Sequence, residues 1–111
     1  MTYREILPQR RQCERFEFSD GKIRYVAEIG FYPDGRPGEI FLSANKVGTD
    51  IHTYVRDSAI AISFALQFGC DVETIRAAFT RRPDGSPEGP LGILMDMLAA
   101  RAATPQQGRV E

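Results

Sequence analysis

The chain has 111 residues, 42% of them hydrophobic, and a formal net charge of −1. That is the length of one domain with enough apolar residues for one core. Near-neutral charge excludes a global pull toward nucleic acid or anionic membranes, and no apolar run approaches the ~18 residues of a membrane span. The first residues, Met-Thr-Tyr-Arg-Glu, lack the apolar centre of a secretory signal. Cys13 and Cys70 match neither a CxxC nor a zinc spacing. A cytoplasmic protein with two buried or inert thiols is the expectation, rather than a disulfide.

The first half reads as a β-meander. Phe16 and Phe18 alternate with Arg15, Glu17 and Ser19 at the period of a half-buried strand. Asp20-Gly21 reads as a two-residue hairpin turn of the type that needs positive φ at both positions. That turn sets Phe18 opposite Ile23, Phe16 opposite Tyr25, and Glu17 opposite Arg24 as a cross-strand charge pair. Ala27, Ile29 and Phe31 continue the apolar face, with Arg24, Glu28 and Gly30 behind it. Pro33-Asp34-Gly35 makes the next turn. The third strand, Glu39 to Ala44, turns Ile40 and Leu42 inward and Phe41 outward.

The helical half starts near Thr49 or Asp50, either of which can cap the first turn. Ile51, Tyr54, Val55, Ser58, Ala59, Ile62 and Leu66 mark one face of a long helix, and Ile60, Ala61, Phe64 and Phe68 a second. From Ser58 onward the helix is apolar nearly all round, the pattern of a helix buried on both sides. Gly69 suits the left-handed position that ends it. Asp71 caps a short helix whose inward face is Val72, Ile75, Ala78 and Phe79. Arg81 to Pro90 is a loop. A third helix runs from about Leu91 to Ala102 with the stripe Leu91, Leu94, Met95 and Leu98. The fold class is α+β: a three-stranded antiparallel meander, then a long central helix, a short helix and a C-terminal helix on one sheet face. The domain is residues 1–103, with 104–111 a disordered tail.

Several phrases along this chain resemble the accessory (TSCPD) domain at the C-terminal end of adenosylcobalamin-dependent, class II, ribonucleotide reductases. They are DGRPGEIF at Asp34–Phe41, SFALQFG at Ser63–Gly69 and VETIRAAF at Val72–Phe79, with LPQRR at Leu7–Arg11 and GPLG at Gly89–Gly92. The resemblance covers roughly Leu7 to Ala99. It implies a fold without reductase activity. In the full-length enzymes, radical and disulfide chemistry belong to a large barrel and a cysteine-bearing tail that this sequence does not contain.

The residues themselves offer no catalytic constellation. His52 has no nucleophile or carboxylate assigned beside it and too few companions for a metal site, so it reads as an exposed polar residue. Asp34 is explained by its turn and Asp50 by capping. Glu39 reads as a buried acceptor bonded to nearby backbone, and Asp57 completes no pair. No cofactor is expected. Arg4, Arg10, Arg11 and Arg15 form a basic N-terminal segment that could touch phosphates, but interleaved Glu5, Glu14 and Glu17 argue against nucleic acid. The leading expectation is therefore a non-catalytic binding or assembly module, its partner a second copy or a reductase. Nucleic-acid binding through those arginines and the sheet is the alternative. Ile60, Phe64 and Phe68 lack an evident intrachain partner, which marks them as a homodimer interface.

Overall fold

The computed structural model describes residues 3–45 and 50–103. The element order is β1 (Cys13–Asp20), β2 (Ile23–Phe31), β3 (Pro37–Ala44), α1 (Asp50–Gln67), α2 (Val72–Ala78) and α3 (Pro90–Ala103). The strands form one antiparallel sheet in the order β1-β2-β3. This is the α+β arrangement expected from the periodicities. Thr49 and the tail 104–111 lie outside the described residues.

The first hairpin turns one residue later than Asp20-Gly21, which shifts the pairing register by two. Asp20 pairs with Ile23, Phe18 with Tyr25, and Phe16 with Ala27. The loop is Gly21-Lys22. Gly21 has φ +63°, and among the described residues no non-glycine has positive φ. A turn with positive φ only at its first central position is type II′, which takes glycine there. The shift is by two, so every side chain keeps its face. Tyr25, Ala27, Ile29 and Phe31 stay inside. Glu17 and Arg24 are now diagonal neighbours rather than opposite residues, yet still pair at 3.7 Å.

One turn design occurs twice. In Tyr32-Pro33-Asp34-Gly35-Arg36-Pro37, the Tyr32 N–H donates to the Arg36 carbonyl and Gly35 N–H to the Tyr32 carbonyl. The Arg36 N–H bonds the Asp34 carboxylate. In Arg82-Pro83-Asp84-Gly85-Ser86-Pro87, Arg82, Gly85, Ser86 and Asp84 repeat all three bonds. Gly35 and Gly85 have φ of 94° and 90°. The same five-residue turn thus leads into β3 and organises the loop before α3: proline sets φ, the aspartate accepts, and glycine takes the left-handed well.

The core lies between the sheet and the helices, and includes Ile29, Ile40, Leu94 and Met95 as fully buried side chains. On α1 the buried stripe is Val55, Ala59, Ile62 and Leu66. Tyr54 and Ser58, expected on that face, are exposed instead. They sit at the margin of the arc, where the helix turns to solvent. Nor is α1 buried on both sides, because Ile60, Phe64 and Phe68 remain 42–45% exposed. The helix ends in a full Schellman motif: Gly69 N–H bonds the Leu66 carbonyl and Cys70 N–H the Ala65 carbonyl. Asp71 then caps α2 by accepting from the Thr74 N–H at 2.8 Å.

Two half-buried ion-pair sites hold the C-terminal half, one tying α3 to the sheet and the other tying α3 to α2 and the loop after it. Arg101 on α3 makes a bidentate pair with Glu14 on β1 and lies 4.2 Å over the Phe31 ring. Asp96 receives both Arg76 and Arg81. Hydrogen bonds from Arg101 hold the Glu14 carboxyl below its ordinary range against the opposing effect of burial. Arg81 does the same for Asp96. Both folded pKa values are depressed, so their contribution to stability is present above the ordinary carboxylate range near pH 4. It is lost as pH falls through the folded values. Urea midpoints should therefore decline on acidification below about pH 4. Glu14→Gln and Asp96→Asn should each be less stable at pH 7 and show a shallower decline. A wild-type midpoint flat down to pH 2 would contradict the assignment.

Candidate docking surface

Three of the motifs that carry the resemblance, Leu7–Arg11, Asp34–Phe41 and Ser63–Gly69, meet at the N-terminal part of β3. Its outer edge would expose unpaired backbone groups, a liability in any sheet. Helix α1 seals it. The Ile40 N–H donates to Ser63 Oγ at 2.8 Å. The Ser63 hydroxyl donates in turn to the Ala59 carbonyl at 2.8 Å, with the Ile40 carbonyl at 3.2 Å. One turn later, Gln67 Nε2 donates to the Gly38 carbonyl at 2.8 Å. Gln67 is only 5% exposed, and its own carbonyl accepts from the Glu5 N–H.

Neither residue was singled out from sequence. The available signal was two polar side chains four apart, on the buried side of an otherwise apolar helix. Leu7 packs near Gly38. Arg11 pairs with Glu39, which lies over Gly30, where a Cβ would collide with its carboxylate. Glu39 thus bonds a guanidinium, not the backbone partner expected from sequence.

The outward side of α1 carries the surface left over. Ile60, Phe64 and Phe68 follow one another at four-residue spacing and so form one ridge. Their exposures are 43%, 45% and 42%. Phe41, on the outer face of β3, is 57% exposed. It shares with Ile60 a groove of about 470 Å³ that also includes Val26, His52 and Arg56. The Arg4 guanidinium lies 4.8 Å over the Phe64 ring, held there by its Nε bond to Gln67. The ridge is therefore apolar, with Arg4 over its central ring and Arg56 beside its Ile60 end.

The four arginines of the N-terminal segment do not come together. Arg4 lies over the middle of the ridge. Arg10 and Arg11 line a cleft beside the Asp34-Gly35 turn. Arg15 lies on the outer face of the sheet, between Glu17 at 3.0 Å and Glu28 at 3.7 Å. That face alternates in sign rather than forming a basic stripe. His52 is half-buried in the groove rather than fully exposed, and Cys70 lines a different cleft. Both cysteines are free, with Cys13 exposed, not buried, at the start of β1. Among the described residues no group of histidines, cysteines and carboxylates could hold a metal ion, and no helix is long and apolar enough to cross a membrane.

Comparison with known proteins decides the relationship. The chain is 38% identical over 77 residues to the vitamin B12-dependent ribonucleotide reductase of Rhodopirellula baltica, which covers 69% of this chain and 7% of the reductase. The chain is similar to one small region of the B12-dependent ribonucleotide reductases. The Bradyrhizobium diazoefficiens reductase is 35% identical over 80 residues, 72% of this chain and 6% of the reductase. That of Agrobacterium fabrum is 39% identical over 77 residues, 69% of this chain and 6% of the reductase. The chain thus spans under a tenth of each of these reductases. No protein-family profile and no solved structure matches it.

Proposed function

We propose that this chain is a non-catalytic docking and assembly module, related to an accessory region of the B12-dependent reductases. It works by seating a protein on the apolar ridge of α1. The observation that carries this reading is the ridge itself: Ile60, Phe64 and Phe68 half-exposed in a row, extended by Phe41. A contiguous apolar strip on a small domain marks an interaction site. A second copy of the chain is the simplest occupant, because two-fold pairing buries the same ridge on both sides. A reductase is the other candidate, since in the relatives the homologous region shares a chain with the rest of the enzyme.

Burying one phenylalanine contributes roughly 1.5–3 kcal/mol, so the ridge can support association of a domain this small. Light scattering over a concentration series should show wild-type assembly. Phe64→Glu should lose the helix-face contact and fall in mass. Its thermal midpoint should hardly move, because the side chain is half in water already. A wild-type chain that stays monomeric at high concentration would overturn self-association through the ridge. Nucleotide reduction by the chain alone would overturn the non-catalytic reading.

A further inference from the structure

The two edges of the sheet are treated differently. The N-terminal part of the β3 edge is covered by Ser63 and Gln67, whereas no described element pairs with the outer side of β1. We infer that this open edge is a self-association surface of its own. Two copies pair their β1 strands antiparallel about a two-fold axis at Phe16, joining two sheets into one.

Hydrogen-bond parity fixes which residues can pair. The Phe31 N–H donates to the Gln12 carbonyl, in the register that continues through β1 and β2. In an antiparallel ladder, bonded and non-bonded pairs alternate. Residues 12, 14, 16, 18 and 20 therefore turn their N–H and C=O groups toward β2. Cys13, Arg15, Glu17 and Ser19 turn theirs outward. A partner strand must bond to those four.

Charge then selects the register. Pairing two β1 strands through the outward set allows three central alignments. One places Arg15 opposite Arg15 of the second copy, and another Glu17 opposite Glu17. Like charges directly opposite are destabilising. The third places Arg15 opposite Glu17 in both directions and Cys13 opposite Ser19. Every outward N–H and C=O of the four residues then finds a partner. The same alignment brings the two half-buried Phe16 rings together at the axis on the core face.

Glu14 meets Phe18 of the second copy there. It brings no unpaired charge, because Arg101 already holds its carboxylate bidentately. The strand has no proline to block the ladder. Its alternating charges discourage the misaligned pairings that open edges invite. This surface lies at the opposite side of the sheet from α1, and it does not depend on the ridge.

The test is made in the Phe64→Glu background, so that only the edge is read. There the chain should still form dimers in analytical ultracentrifugation. Arg15→Glu places carboxylates opposite carboxylates and should weaken the dimer about tenfold. Adding Glu17→Arg should restore it. Geometry is checked separately with Ser19→Cys in a Cys70→Ser background. Bonded antiparallel pairs are about 5.5 Å apart at Cα, within disulfide range. Positions 13 and 19 of one strand are about 20 Å apart, so only an interchain bond can form.

Mild oxidation should give a covalent dimer on a non-reducing gel, with one peptide joining position 13 to position 19. Lys22→Cys in the same background, in the hairpin loop, should not. A monomeric Phe64→Glu chain, or a dimer whose thiols link 13 to 13 and not 13 to 19, overturns the proposal. A fall from a larger assembly to a dimer with Phe64→Glu bears on the ridge alone, whereas a fall to monomer in that background, or no weakening by Arg15→Glu, bears on the edge.

Discussion

Leu94→Ala should cost about 2–5 kcal/mol of folding stability, the range for truncating a fully buried leucine. Leu94 has no exposed surface and sits with Met95 and Leu98 on the stripe of α3 that closes the core. It belongs to one buried cluster that also draws on the sheet, α1 and α2, so the cavity cannot collapse freely. A domain of this size has a total stability of only about 5–15 kcal/mol. The midpoint of thermal unfolding should drop by at least about 8 °C. Phe68→Ala is the matched control. It removes a larger side chain, but one that is 42% exposed, and should shift the midpoint far less. Equal losses for the two variants would mean that the ridge is part of the folding core and not a surface.

Gly38→Ala should be strongly destabilising for a change of one methyl group. A Cβ there would lie 2.5 Å from Cε2 of Tyr32 and 3.0 Å from a methyl of Leu7. Tyr32 cannot swing away. It is buried, its hydroxyl donates to the Glu5 carbonyl at 2.5 Å, and Arg36 lies 4.6 Å over its ring. The Gly38 carbonyl is also the acceptor for Gln67, so a backbone shift here would open the sealed edge. Overpacking of this kind costs about 1–3 kcal/mol. Denaturant midpoints should show that loss, and it should shrink in a Tyr32→Leu background, as expected for residues in contact. Gly89→Ala has nothing within 4 Å of the new methyl and should be close to neutral. A neutral Gly38→Ala would refute the close approach.

Both variants test features that were legible to different degrees. The α3 stripe of Leu94, Met95 and Leu98 follows from helical spacing, because a helix on a sheet buries one arc whatever its surroundings. Phe41 and the row Ile60, Phe64 and Phe68 follow for the same reason: strand alternation and four-residue spacing turn them from the core. Gly69 and Asp71 were legible as helix stop and start, since the left-handed well and the capping bond are local properties of a few residues.

The tertiary structure decided what local rules leave open. Asp20-Gly21 and Gly21-Lys22 are both possible turns, and only the pairing of Phe18 with Tyr25 selects between them. Nothing local distinguishes them, since a shift of two leaves every face unchanged. The partner of Glu39 required Arg11 to arrive from a distant segment. The roles of Ser63 and Gln67 required knowing that α1 runs beside β3, so that two polar residues in an apolar helix could satisfy a strand edge. Periodicity reports which side of an element faces inward. It carries no information on which edge of the sheet a helix reaches, because that depends on contacts between residues far apart in the chain. The closed β3 edge and the open β1 edge are therefore properties of the fold, while the alternating charges of Arg15 and Glu17 were written in the strand from the start.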